Sequence, residues 1–107
     1  MDERLNFEIV ETFIIEQNEK KPAIRLNWFA TNSYMIIRKD CFDELADFLF
    51  FNTKEPNNWM LEKFDLKGFE MYDLFSVYNY SGWIMNQRDF SELTKLIKQY
   101  KEQRGKK

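Results

Sequence analysis

The chain has 107 residues, 18% of them aromatic, and a formal net charge of −2. This length is enough for one domain, and the interspersed charges give no overall field that would draw the protein onto a phosphate backbone. There is no histidine, one cysteine and three glycines. These counts exclude Cys/His zinc sites, histidine-dependent nucleophilic catalysis and glycine-rich phosphate loops. We therefore expect no enzyme activity, no metal and no cofactor.

The cellular location that we expect for the protein follows from features that the sequence lacks. No run of about 18 apolar residues predicts a membrane span, and the first residues lack the basic and apolar regions of a secretory signal. Because Cys41 has no second cysteine to pair with, we expect a reducing, cytoplasmic setting. The abundance of Lys, Asn, Phe and Ile is typical of an AT-rich bacterial or phage genome.

The first half of the chain predicts three strands and a helix. Alternating apolar and polar residues from Leu5 to Gln17 indicate a half-buried strand. A turn at Asn18–Pro22 leads to a second strand between Ile24 and Ala30, and a short third strand covers Tyr34–Ile37. From residue 40 to about residue 52, apolar residues at i, i+3 and i+7 predict a core-facing helix.

The second half repeats this order. Strands are predicted at Trp59–Leu66, Phe69–Tyr78 and Trp83–Met85, with a turn at Lys67-Gly68. Asn86 is placed as the cap of a second amphipathic helix, which is followed by a basic tail at 104–107. The predicted fold is α+β: an antiparallel sheet with two amphipathic helices on one face, in one domain of residues 1–107.

A shift of 48 residues relates the halves, which we place at 5–52 and 57–103. Five residues recur in the same order along this shift: Ser33, Ile36, Phe42, Glu44 and Leu45 match Ser81, Ile84, Phe90, Glu92 and Leu93. The matches predict an approximate tandem βββα–βββα repeat. A short strand that leads into an amphipathic helix can also produce such matches without a repeat.

This order of elements resembles that of the PC4/PUR-like folds, which bind single-stranded DNA. The resemblance implies a sheet that stacks bases on aromatic side chains. Those folds carry four strands for each helix, whereas this sequence predicts three.

Three groups of residues are candidates for binding. The strand at Phe69–Tyr78 is apolar on both faces, so one face is expected either to meet a partner or to lie in the core. The aromatic strand face consists of Tyr72, Tyr78, Tyr80 and Trp83. The acidic helix stripe, which would dock a basic partner or simply complement the helix dipole, consists of Asp40, Asp43, Glu44 and Asp47. The candidate phosphate contacts are Lys95, Lys98, Lys101 and Arg104.

Two function classes follow from these candidates. We expect a non-catalytic module that acts by stoichiometric association with another protein, as an inhibitor, adaptor or immunity-type protein. The alternative is a single-stranded nucleic-acid-binding protein of the PC4/PUR-like architecture. Pairing of the aromatic strand face with a second copy of the chain, as a homodimer, is a further interpretation.

Overall fold

A computed structural model describes residues 6–51 and 58–105. The fold is α+β, and each half of the chain contributes three strands followed by a helix. In chain order the elements are β1 (Phe7–Glu16), β2 (Glu19–Trp28), a short 3-10 turn (Phe29–Thr31), β3 (Ser33–Arg38), α1 (Lys39–Phe51), β4 (Trp59–Leu66), β5 (Phe69–Ser76), β6 (Ser81–Asn86) and α2 (Gln87–Gly105).

The described strands form two antiparallel sheets of three strands each, in the orders β1-β2-β3 and β4-β5-β6. The sequence had led us to expect one sheet. Every strand pairs with the strand next to it along the chain, as consecutive strands joined by short turns commonly do. The strand at Trp59–Leu66 therefore belongs to the second sheet.

Two-residue turns close the long hairpin of each sheet. Gln17 and Asn18 have φ of 52° and 63°, and Lys67 and Gly68 have φ of 51° and 88°, which is the backbone that a type I′ turn requires. The turn predicted at Lys67-Gly68 is confirmed, whereas the turn predicted at Asn18–Pro22 is wrong. Pro22 lies within β2, beyond the end of the ladder with β3, at a position that tolerates proline.

The ends of the later elements also differ from the predictions. β5 stops at Ser76, and β6 extends over both ends of the predicted Trp83–Met85 strand. The backbone N–H of Asp89 donates to Asn86 Oδ1 at 2.8 Å, which confirms Asn86 as the cap of α2. α2 runs to Gly105, so it includes part of the predicted tail. Lys106, Lys107 and residues 52–57 between α1 and β4 lie outside the described residues.

One hydrophobic core joins the two halves. The rings of Phe7 and Trp28 stack with centroids 5.4 Å apart, and Trp83 of the second sheet lies 5.3 Å from Trp28. α2 contacts β1 of the first sheet as well as β5 and β6 of the second, while α1 packs on β2 and β3. Because α2 bridges both sheets, neither half buries its apolar residues alone.

Two equivalent contacts cross between the halves. Asn58, just before β4, donates from Nδ2 to Glu44 Oε1 of α1 at 2.9 Å. Asn6, just before β1, donates from Nδ2 to Glu92 Oε1 of α2 at 3.2 Å. Each first strand is thus tied to the helix of the opposite half, and the two glutamates are 48 residues apart.

Within the described residues, no helix has the length and apolar character needed to cross a membrane. The same part of the chain contains no group of three or more Cys, Asp or Glu side chains arranged to hold a metal ion.

Candidate protein-binding surface

The packing of α2 decides which side of the second sheet faces the core. Tyr72 of β5 stacks on Phe90 of α2, with ring centroids 4.2 Å apart and an interplanar angle of 7°. Leu74, Trp83 and Met85 are buried on the same side. The residues that alternate with them along β5 therefore point away from the core.

Most side chains on that opposite side are apolar, and we call it the apolar outer face. The register pairs Leu66 with Phe69, Phe64 with Met71 and Met60 with Phe75, and it places Ile84 opposite Asp73. Five of them are between 38% and 70% exposed: Met60, Phe64, Leu66, Phe69 and Ile84. Met71 and Phe75 are half-buried between them. The five exposed side chains present about 400–500 Å² of apolar surface, which is as large as the largest patch on a typical monomer.

Gly82 and Tyr80 shape one end of this face. A Cβ on Gly82 would lie 3.0 Å from Phe75 Cδ1 and 2.7 Å from the carbonyl oxygen of Leu74. The absence of a side chain thus lets the ring of Phe75 lie flat against β6. Tyr80, in the turn before β6, is 81% exposed and packs edge-on against Phe75 with centroids 6.4 Å apart.

The corresponding side of the first sheet combines polar residues with the half-buried Ile14 and Ile36 and with Val10, which is 37% exposed. Arg25 donates from Nε to Asn27 Oδ1 at 2.9 Å, and Asn27 donates to Glu8 Oε1 at 3.0 Å. The Arg25 guanidinium lies 4.0 Å from the ring centroid of Tyr34. Two sheets with the same strand order thus differ in how much large apolar surface their outer faces expose.

The structure separates the residues of the predicted aromatic strand face. Trp83 is 7% exposed and belongs to the core, so it is not accessible to a partner. Tyr72 is half-buried under Phe90, and its hydroxyl donates to Glu70 at 2.6 Å. Tyr80 alone of the four is exposed, and it lies at the end of the apolar outer face.

Tyr78, the fourth member of that predicted face, joins the two halves of the molecule. Its hydroxyl donates to the Glu16 carboxylate of β1, and Arg38 lies over its ring at 5.4 Å. Burial and the bond to Glu16 raise the pKa of Tyr78 to about 12. The tyrosine hydroxyl is therefore protonated at neutral pH and acts in the packing of the fold.

The predicted acidic helix stripe is compensated by neighbouring residues of the chain. Arg38 donates two bonds to Asp40, at 3.0 and 2.8 Å, and holds the pKa of that carboxyl below its usual value. Asp43 accepts a bond from Lys101 at 2.8 Å, and Glu44 accepts the bond from Asn58. The fourth residue, Asp47, is exposed.

The candidate phosphate contacts are only partly available. Lys95 and Lys98 are exposed on α2, whereas Lys101 is paired with Asp43 across the two helices. Arg104 lies in the last turn of α2, and its side chain is outside the described part of the structure. The basic residues of α2 are therefore not brought together as one free cluster.

The main site residues that sequence reasoning missed are those of the apolar outer face. Phe69, Met71 and Phe75 were not proposed as binding residues, because tyrosine and tryptophan, which are enriched at interface hot spots, lie on the other face of the strand. The missing signal is in β4, where Met60, Phe64 and Leu66 have the same parity and can lie beside them only on that face.

The comparisons with known proteins place no relative beside this chain: no family model, no curated protein and no solved structure matches it.

Proposed function

We propose that the protein is a non-catalytic protein-binding module that acts by stoichiometric association, and that it binds its partner through the apolar outer face of the second sheet. The observation that carries this proposal is the exposure of five large apolar side chains on one sheet face. Exposed apolar surface of this size often marks an interaction site.

The first sheet supports the view that this apolar surface serves binding and not folding. It has the same strand order as the second sheet and packs on the same core, and its outer face includes Arg25 and Asn27 and no phenylalanine or leucine. A three-stranded sheet of this kind therefore folds without exposed phenylalanine or leucine on its outer side. Exposing such residues does not stabilise the fold, whereas burying them against a partner adds about 25 cal/mol to the binding free energy for each Å² of apolar surface covered.

We also propose that the halves form a tandem repeat. The pairing of β2 with β3 and that of β5 with β6 are related by one offset: Trp28↔Ser33 and Ser76↔Ser81 differ by 48. In the crossed Asn–Glu contacts the glutamates are also 48 residues apart, whereas the asparagines are 52 apart. On this view one half kept an outer face with more polar residues, and the other acquired an apolar face for its partner.

The nucleic-acid alternative draws support from a different surface. Arg25 stacked over the exposed ring of Tyr34 is an arrangement that suits a base. The same face carries Glu8 and Glu16, which repel phosphate. Binding there is expected to weaken steeply with salt, whereas an apolar protein interface is expected to respond little.

The test is capture of proteins from the native host lysate on the immobilised protein, after nuclease treatment and at two salt concentrations. The face variant carries Phe64→Thr, Phe69→Thr and Ile84→Thr, because threonine is polar and, as a β-branched residue, is favoured in strands. We expect one dominant protein to be retained by the wild type at both salt concentrations and reduced at least tenfold on the face variant.

A matched control carries Val10→Thr, Ile14→Thr and Ile36→Thr on the outer face of the first sheet. It should retain the partner at the wild-type level. Equal capture by the face variant, or loss of all captured material after nuclease, would contradict the proposal. A dimer that forms in the purified wild type and not in the face variant would identify the partner as a second copy of the chain.

A further inference from the structure

Two acidic residues lie in the middle of the apolar outer face. Glu62 of β4 is directly opposite Asp73 of β5, and Asp73 is directly opposite Ile84 of β6. Side chains opposite one another across a ladder have Cβ atoms about 4.5–5.5 Å apart, and like charges there are destabilising. Along β4 this acidic pair is flanked by Met60 on one side and Phe64 on the other.

The acidic pair has no cation from the described part of the chain. Neither carboxylate takes part in an ion pair or a side-chain hydrogen bond there. Other acids of the protein do have such partners, as Asp43 has with Lys101 and Glu70 has with Lys63 at 3.1 Å. The pair is therefore an uncompensated concentration of negative charge on an otherwise apolar surface.

The first sheet shows how the same row is filled where no acidic pair occurs. The corresponding residues are Val10, Arg25 and Ile36, which are directly opposite one another across β1, β2 and β3. A single cation flanked by two apolar residues occupies the row without like-charge contact. The two carboxylates of the second sheet are consequently not a requirement of the strand geometry.

We infer that the partner presents an extended segment in which one basic side chain lies between two apolar side chains, with the basic group placed between Glu62 and Asp73. This inference rests on the proposed function of the apolar outer face. Arginine suits the position best, because its planar guanidinium donates to two carboxylates at once. In an extended segment, residues i, i+2 and i+4 share one side and repeat at the spacing of Met60, Glu62 and Phe64.

Charge complementarity selects this partner over two others. A second copy that pairs through the same face about a two-fold axis would bring the acidic pair against its own equivalent, which adds like-charge repulsion. A nucleic acid would bring phosphates to the same carboxylates. A partner with a central cation would attract both carboxylates, and its apolar side chains would cover the apolar residues on both sides of the acidic pair.

The test uses a phage-displayed library of random twelve-residue peptides, selected in parallel on three forms of the full-length protein. These are the wild type, a charge variant carrying Glu62→Gln and Asp73→Asn, and the face variant Phe64→Thr, Phe69→Thr, Ile84→Thr. We expect wild-type selection to enrich peptides with arginine or lysine between apolar residues at i−2 and i+2. These peptides should bind the charge variant about thirtyfold more weakly or worse, and the face variant not at all.

The outcomes separate the inference from the function on which it rests. Peptides that bind the wild type but not the face variant, and that show no preference for a basic residue, would overturn the inference and leave the proposed function standing. Failure to enrich any peptide that distinguishes the wild type from the face variant would overturn both. Urea denaturation of the charge variant should show unchanged or higher stability, and a clear loss would show that the fold itself uses the two carboxylates.

Discussion

The indole N–H groups of Trp28 and Trp59 lie in similarly buried places but have different hydrogen-bonding environments. Trp59 is 1% exposed, and its Nε1 donates to the Cys41 carbonyl oxygen at 2.8 Å. Trp28 is 6% exposed, and its Nε1 is buried with no hydrogen-bond partner among the described residues. Replacing each tryptophan with phenylalanine removes the same atoms from the same core.

The difference between the two variants isolates the N–H group. Loss of indole atoms costs roughly 1–2 kcal/mol at either site. Trp59→Phe also removes a buried hydrogen bond worth about 1 kcal/mol, whereas Trp28→Phe relieves an unsatisfied donor that costs about 1–3 kcal/mol. We therefore expect Trp59→Phe to destabilise the protein by about 2–4 kcal/mol more than Trp28→Phe does.

The measurement is urea denaturation followed by circular dichroism, which does not depend on the fluorescence of the residues replaced. A difference of this size corresponds to roughly 10–20 °C in Tm for a domain of about 100 residues. The reasoning is refuted when Trp28→Phe costs as much as Trp59→Phe, because the unpaired N–H would then carry no penalty.

Three further predictions concern other parts of the fold. Gly82→Ala should lower stability by about 1–3 kcal/mol in urea denaturation, because its Cβ would lie 2.7 Å from the Leu74 carbonyl oxygen. Between pH 10 and pH 12 the folded state holds the Tyr78 proton that the unfolded chain has released, because the pKa of Tyr78 is raised to about 12 in the fold. As pH rises through this range, the free energy of unfolding should therefore fall more for the wild type than for Tyr78→Phe. Equal pH dependence of the two unfolding free energies would contradict this. Asn58→Ala should cost about 0.5–1.5 kcal/mol by removing the bond to Glu44, and additivity with Glu44→Ala in a double-mutant cycle would rule that bond out as the cause.

Much of the secondary structure follows from the sequence alone, because it depends on local patterns. β4 was predicted with the bounds that the structure has, and the Lys67-Gly68 turn, which local residues form, ends it. The cap at Asn86 was predicted because its side chain has to reach only three residues along the chain. The turn near Pro22 was misplaced because proline marks a turn in most contexts, and only the end of the β3 ladder makes it tolerable in β2.

The choice of the exposed face was decided by tertiary structure. A strand that is apolar on both sides, such as β5, gives no local signal for which side a helix will cover. α2 packs its Phe90 on Tyr72 and so turns Phe69 outward. The pairing of Tyr78 with Glu16 joins residues 62 positions apart, which no periodicity can indicate.

The sequence by itself thus determined the order of strands and helices, the turn at Lys67-Gly68 and the cap of α2 at Asn86. Tertiary structure alone decided that the strands form two sheets, that Trp83 belongs to the core, and that an acidic pair lies within an apolar face. The physical reason is the separation along the chain of the residues that interact. Turns and caps form between residues a few positions apart, whereas burial depends on how elements that are distant in sequence pack together.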